Sequence, residues 1–229
     1  MAAAIILAAG RGERMRPLTD TVPKPLLKAG GRALIEWQVE KLARAGFEDL
    51  VVNHAHLGSQ IEAALGDGSR FGARIRYSPE SPALETAGGI AKALPLLDGK
   101  PVLVVAGDIH TDFDYASLHA PLESIACDPV THCAHWVLVD NPPWHPEGDD
   151  MGLADGRIVR GAKRLTYASI GIYDPSIFRG IVPGTWMKLF PWAYGFADAG
   201  RVTGEHYRGP WDNVGTAEQL AALDRRLSR

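Results

Sequence analysis

Gly10, Arg11, Gly12, Arg14 and Arg16 follow the apolar run Ala2 to Leu7 almost directly, and Pro23-Lys24-Pro25 comes soon after. A buried strand that feeds a glycine-bearing turn with fixed cations suits a polyphosphate. Backbone N–H groups of such a turn form an anion-binding concavity, and the cations neutralise charge as it develops. A strand end followed by a basic surface loop would carry the same arginines, so the turn alone leaves both readings open. No Gly-Lys-Ser/Thr closes the loop, which excludes a Walker loop. Met15 stands where the third glycine of a dinucleotide fingerprint would fall.

Three further places hold candidate chemistry. Asp108 follows Val102 to Ala106 and Gly107, which puts a carboxylate at a strand tip, suited to a hard divalent cation or to capping the next turn. His110, Asp112 and Asp114 alternate after it and read as a solvated loop with an N-cap for the next helix. Leu84-Glu85-Thr86-Ala87-Gly88-Gly89 combines a possible N-cap with a glycine pair that admits close approach. Trp211-Asp212-Asn213-Val214-Gly215-Thr216 pairs a carboxylate with a carboxamide; in an extended segment the two point to opposite sides.

These residues need a frame, and the first half of the chain supplies one. Strand signals at Ala2–Leu7, Leu50–Val52, Ile75–Tyr77 and Val102–Ala106 alternate with helical spacing at Leu34–Ala45, Ile61–Leu65 and from near Thr86 to Leu94. The order β-α-β-α predicts an α/β, Rossmann-like single domain with a mixed, mostly parallel sheet flanked by helices. Ligands of such sheets bind outside the carboxyl ends of the strands, where the first turn, Asn53-His54 and Gly107-Asp108 all fall. Later come strands at 132–139, 158–159, 165–173 and 202–208, and helices at about 187–199 and 216–227. No linker divides the chain, so the second half decorates the first.

The string from Gly10 to Thr19 with Pro23-Lys24-Pro25 resembles the signature of the sugar-1-phosphate nucleotidylyltransferases, which make NDP-sugars on a GT-A-like fold. The resemblance implies a nucleotide-binding half (1–125) and a sugar-phosphate-binding half (126–229). It implies transfer of a nucleotide from an NTP to a sugar 1-phosphate with Mg²⁺. Arg14 and Lys24 become the catalytic cations, on the leaving phosphates and on the α-phosphate. Ala9, Gly10, Gly12, Glu13 and Gly88 join them around the nucleotide, the glycine pair leaving room for the base and ribose. Asp108 becomes a metal ligand. The family carries a second metal-binding aspartate two residues before its Gly-Thr pair, and here that position is Asn213. Either Asn213 serves, or Asp212 substitutes through a local twist, or activity falls.

Along nearly the whole chain the resemblance runs to the branch that joins UTP to N-acetylmuramate α-1-phosphate in cell-wall recycling. Gly66-Asp67-Gly68-Ser69-Arg70-Phe71-Gly72 and Gly204-Glu205-His206-Tyr207-Arg208-Gly209 are among the residues that carry it. Guanylyl transfer to mannose 1-phosphate is the runner-up. Sugar contacts are expected from Asn53, Glu85, Asp140, Asn141, Gly171 and Lys188, although Asp140-Asn141 would also end a strand at a proline turn. Lys163, Arg164 or Lys188 would meet the lactyl carboxylate of muramate. Trp186, Trp192 and Phe196 read as core or interface aromatics.

Composition sets the remaining bounds. The chain has 229 residues, a net charge of −3 and two cysteines, Cys127 and Cys133. That charge supplies no basic field for nucleic acid, and the cysteine spacing fits neither a disulfide framework nor a Cys-x-x-Cys pair. The apolar amino-terminal stretch is too short to span a membrane and wrongly flanked for a signal peptide. The expected partners are small molecules, the expected location cytoplasmic, and the expected state a monomer or weak dimer. A regulator that kept the fold and lost catalysis, marked by Asn213, is the competing class; retention of Arg14, Lys24 and Asp108 together argues against it.

Overall fold

The computed structural model describes residues 2–161 and 164–228. Its strands are Ala2–Ala8 (β1), Lys28–Ala29 (β2), Arg32–Ala33 (β3), Phe47–His54 (β4), Arg74–Pro79 (β5), Val102–Ala106 (β6), Ile109–Thr111 (β7), Ala134–Val139 (β8), Gly152–Ala154 (β9), Arg157–Val159 (β10), Thr166–Tyr173 (β11), Val202–Tyr207 (β12) and Trp211–Asn213 (β13). The helices are Leu18–Thr21 (α1), Leu34–Arg44 (α2), Gly58–Leu65 (α3), Glu85–Ala93 (α4), His119–Cys127 (α5), Tyr194–Asp198 (α6) and Ala217–Leu227 (α7).

Nine strands form one sheet in the order β5-β4-β1-β6-β11-β8-β12-β10-β9. Strands β5, β4, β1 and β6 are parallel neighbours, β11 runs against both β6 and β8, and β12 is parallel to β8. Seven strands therefore share one direction, with β11 and β10 reversed. The near-continuous apolar runs of β1, β4 and β6 follow from burial on both faces. Ile6 and Val52 pack under α2, α3 and α5, while Ile5 and Val51 pack under α4 and α6. A third cluster, Met15, Leu27, Ala29, Leu34, Val214 and Leu223, fastens the amino-terminal loop to α2 and α7.

Two expectations are corrected. The late helix is confined to Tyr194–Asp198, because residues 187–193 serve other partners. Met187 donates its N–H to the Leu84 carbonyl (2.9 Å) and accepts from Gly88 N (3.1 Å), and Pro191 has no N–H to continue a helix. Helix α4 begins at Glu85 with Leu84 at its N-cap and no side-chain cap, so Thr86 does not cap it. The short ladder of β7 with β13, Ile109 opposite Asn213, lay outside the sequence expectation. No described helix is long and apolar enough to cross a membrane.

All six tyrosines titrate above their ordinary range because burial disfavours the phenolate; Tyr77 is pushed up to about 12. Stability is then full below pH 10.0, the unperturbed value, and falls from there towards about 12 as the unfolded chain releases protons that the fold retains. An alkaline titration should show the phenolate absorbance of buried Tyr115 and Tyr173 rising together with loss of circular dichroism; ionisation of both with the fold intact would contradict it.

Candidate active site

The first loop is set by two contacts and one obligatory glycine. Ala8 N–H, at the end of β1, donates to Asn53 Oδ1 (2.7 Å). Gly12 adopts φ +70°, and a Cβ there would lie 3.0 Å from Thr19 Cγ2 and 3.1 Å from Lys24 Cβ. Only glycine meets both demands. Met15, fully buried, anchors the next turn. The three arginines then separate in role. Arg11 reaches His56 and faces Glu13 (3.4 Å) and Asp20 (3.7 Å), while Arg16 pairs with Asp20 (2.8 Å). Arg14 has no carboxylate partner among the described residues, and its guanidinium lies where a Cβ on Gly215 would come within 2.9 Å.

Lys24 Nζ is in direct contact with Asp108 Oδ2, and both side chains are mostly buried. Asp108 reaches this point because Gly107 folds tightly over β1, its N–H on the Leu7 carbonyl (2.9 Å). Val214 N–H donates to the Asp108 carbonyl (3.1 Å), which brings Asn213 alongside. Asp212 leaves on the other side of β13 and pairs with Arg226 of α7. Helix α7 is itself fixed by a capping box, Gln219 Oε1 accepting from Thr216 N (3.0 Å) and Gly215 N (2.7 Å). The twist that would have recruited Asp212 is absent. Among the described residues no three His, Cys, Asp or Glu side chains converge to hold an ion. Asp108 and Asn213 offer two hard oxygen donors, which suits an ion that takes its other ligands from phosphate and water.

Two cavities meet here. The smaller, about 210 Å³, is bordered by Gly12, Glu13, Arg14, Lys24 and Gly215; the larger, about 770 Å³, by Ala9, Asn53, Glu85, Lys188 and Asn213 among others. Leu7, Gly10 and Asp108 border both. The reversed strand β11 contributes its first residues, Thr166, Tyr167 and Ser169, to the same rim as the carboxyl ends of β1, β4 and β6. Asn53 faces the cleft, but its Nδ2 donates to buried Glu80 (2.7 Å), whose other oxygen accepts from Leu84 N (2.8 Å). It orients the start of α4 as well as lining the site.

Several expected residues lie elsewhere. A Cβ on Gly88 would strike the Thr185 carbonyl (2.2 Å), and one on Gly89 would strike Asn53 (2.6 Å) and Glu80 (2.7 Å). The glycine pair therefore makes room for neighbouring protein, and Gly88 is not among the residues that border the cleft. Asp140 pairs with His206 (3.0 Å). Asn141 clamps its loop through the carbonyls of Pro146 and Arg164 (both 3.2 Å) and through Thr166 Oγ1 (3.0 Å). Gly171 sits under Tyr167, Trp136 and Tyr173. None of these three borders the cleft. Arg164 faces Asp150 (3.5 Å) outside it, and Lys163 lies outside the described residues. Of the late aromatics, Trp186 lines the cleft, while Trp192 and Phe196 pack against the core.

Sequence reasoning passed over Trp144, His145 and Asp149, which also line the cleft, and gave Trp211 no role beyond its place in the Trp211–Thr216 segment. Asp149 is held by Tyr167 N–H (2.7 Å) and His145 (3.3 Å). Glu85 (φ +64°) and Ser169 (φ +57°) are non-glycine residues in the left-handed region, and both face the cleft. Such strain clusters at functional sites; periodicity carries no signal of it.

Residues 3–132 match the family described as Nucleotidyl transferase. The chain belongs to that family. It is 51% identical over 95% of its length, and 94% of the relative's, to N-acetylmuramate alpha-1-phosphate uridylyltransferase of Neisseria meningitidis serogroup B. It is 34% identical over 98% of its length, and 96% of the relative's, to the protein of the same name from Caulobacter vibrioides. A solved structure of a putative glucose-1-phosphate thymidylyltransferase from Bacillus anthracis superposes over 100% of this chain and 96% of that one, with a TM-score of 0.82 and 20% identity, and confirms the nucleotidyltransferase fold.

Within this nucleotidyltransferase the two loop glycines should fail differently. Beyond its chain neighbours no protein atom lies within 4 Å of a Cβ on Gly10, which borders both cavities, so Gly10→Ala should keep the Tm and weaken nucleotide binding. Gly12→Ala should lose about 1–3 kcal/mol of stability through positive φ and crowding. Thermal melts with nucleotide titrations separate the two; equal Tm losses would refute the distinction.

Proposed function

We propose that the chain joins UTP to N-acetylmuramate α-1-phosphate, giving UDP-N-acetylmuramate and pyrophosphate. The observation that carries this reading is the convergence of Arg14, Lys24, Asp108 and Asn213 where the two cavities meet. The two full-length relatives named for this uridylyl transfer support the choice of substrates. The first half, residues 1–125, holds the nucleotide, and residues 126–229 hold most of the sugar-phosphate wall. Both substrates are small soluble molecules, and a nucleoside triphosphate donor implies a cytoplasmic reaction that feeds cell-wall recycling.

A phosphate oxygen of the sugar 1-phosphate attacks the α-phosphorus of UTP in line with the bond to the β-phosphate. The new P–O bond forms as that bond breaks, and pyrophosphate leaves with its electrons. The nucleophile is already an anion, so no general base is needed. Catalysis is orientation and cancellation of charge on phosphorus. Lys24, released from Asp108, sits on the α-phosphate and the incoming phosphate. Arg14, without a carboxylate of its own, takes the β- and γ-phosphates in the smaller cavity. Asp108 and Asn213 would hold Mg²⁺, which supplies further neutralisation across the triphosphate. Lys188, which borders the larger cleft, would meet the lactyl carboxylate.

Lys24→Ala, Arg14→Ala and Asp108→Ala should each lower turnover by about 10²–10³, the usual loss for one preorganised charge at a developing oxyanion, while circular dichroism stays native. A folded variant with near-normal turnover would remove that residue from the mechanism. Pyrophosphate release with UTP, GTP and dTTP, each against muramate, mannose and glucose 1-phosphates, tests the substrate pair. UTP with N-acetylmuramate 1-phosphate should give the highest kcat/KM; GTP with mannose 1-phosphate in first place would replace the reading, and no release from any pair would leave a binding role.

A further inference from the structure

The charge arrangement of the ligand-free cleft bears on how a metal ion reaches it, provided the uridylyl-transfer reading holds. Asp108 is the carboxylate at the junction of the two cavities, and Lys24 already neutralises it. Arg14 adds a positive charge with no carboxylate partner among the described residues. Glu13, at the rim of the smaller cavity, faces Arg11 (3.4 Å) and Arg16 (3.9 Å). Asn213 stands beside Asp108 through the Val214–Asp108 hydrogen bond but brings no charge, and Asp212 is held away by Arg226. The charged residues bordering the smaller cavity, Glu13, Arg14, Lys24 and Asp108, cancel, so a bare dication would meet no negative field to attract it and one carboxylate that must first give up its lysine.

We propose that the divalent ion enters this site only as its complex with the nucleotide, and that the neutral Asn213 enforces this order. A nucleoside triphosphate changes each term. Its phosphates bring ~4 negative charges and most of the ion's ligands, leaving one or two for the protein. Its α-phosphate draws Lys24 off Asp108, so the carboxylate becomes free as the ion arrives. A carboxylate at position 213 would reverse the situation. Two adjacent acids would attract the ion without nucleotide, because like charges held close favour a counter-charge between them.

Electron paramagnetic resonance of free Mn²⁺ reads this directly and needs no turnover. With Mn²⁺ alone at millimolar concentration, the wild-type protein should leave the free-ion signal undiminished. With UTP present, it should remove signal beyond a protein-free UTP control. Asn213→Asp should bind Mn²⁺ without nucleotide at least about ten-fold more tightly than wild type, a modest share of the attraction of one added charge. Lys24→Met, which frees Asp108, should shift affinity the same way and serves as the second variant if N213D does not fold. Asp212→Asn, on the far side of β13, should behave as wild type. Wild type binding Mn²⁺ alone as tightly as N213D would overturn the proposal, and so would unchanged affinity in folded N213D and K24M. If the manganese results hold while UTP yields no pyrophosphate with any sugar phosphate, the functional reading fails and the metal inference stands.

Discussion

The contact of Lys24 with Asp108 is the constraint around which the rest of the site is arranged. The two residues are 84 positions apart and meet because β1 and β6 are parallel neighbours with Leu7 opposite Ala106. Gly107 then lets the turn after β6 settle over the end of β1. A largely buried ion pair is weak support for a fold, since desolvation offsets most of the attraction. Its value here is chemical. Each member protects the other from standing alone in a partly dry cleft, and the pair can be opened by a ligand that supplies both a phosphate for the lysine and a cation for the carboxylate.

Holding that pair in place requires the two ends of the chain to act as one body. Met15, Leu27 and Leu34 from the amino-terminal segment pack with Val214 and Leu223 from the last one. The same cluster presses Arg14 against Gly215, and the Thr216–Gln219 capping box fixes the angle at which α7 leaves. Truncating buried Met15 would open a void of a kind that typically costs 2–5 kcal/mol, and the damage would be felt at Arg14 before it was felt in the sheet. Stability and site geometry are thus coupled through one small apolar cluster and not through the main core.

The parts of this arrangement that the sequence made legible are local ones. A fully buried strand announces itself as an apolar run, so β1 and β6 were readable, and with them the two loops that follow their carboxyl ends. Gly12 was readable as a turn residue, though not that Thr19 and Lys24 crowd it. What long-range contact decides was hidden. The β7–β13 ladder has three residues on each side and joins segments about a hundred positions apart, so no periodicity marks it. Yet that ladder assigns Asn213 to the cleft and Asp212 to Arg226. Gly88 and Gly89 were legible as positions that tolerate no side chain, but only the packing of Thr185 and Glu80 shows that protein fills the space. Asn141 illustrates the converse: a polar type at a strand end whose hydrogen bonds turn out to serve the loop carrying Trp144 and Asp149, while Asp140 pairs with His206 of β12.

The two halves of the cleft are built on different physical terms, and this bears on selectivity. The phosphate end consists of charges set by glycine turns and parallel strand ends, which any nucleotide could use. The larger cleft is also bordered by Trp144, Trp186, Trp211 and Tyr167, with Asp149 pinned by hydrogen bonds and Ser169 held in a left-handed conformation. A non-glycine residue in that region is disfavoured by about 1 kcal/mol or more, and it sits where the ladder between β11 and β8 loses register. That distortion turns the start of β11 into the cleft, where a regular strand would keep alternating between the two faces of the sheet. This part of the cleft, which the proposed reading gives to the sugar, is therefore shaped by a local departure from sheet geometry, so on that reading a change at Ser169 or its neighbours should alter which acceptor fits while Lys24, Arg14 and Asp108 keep their places.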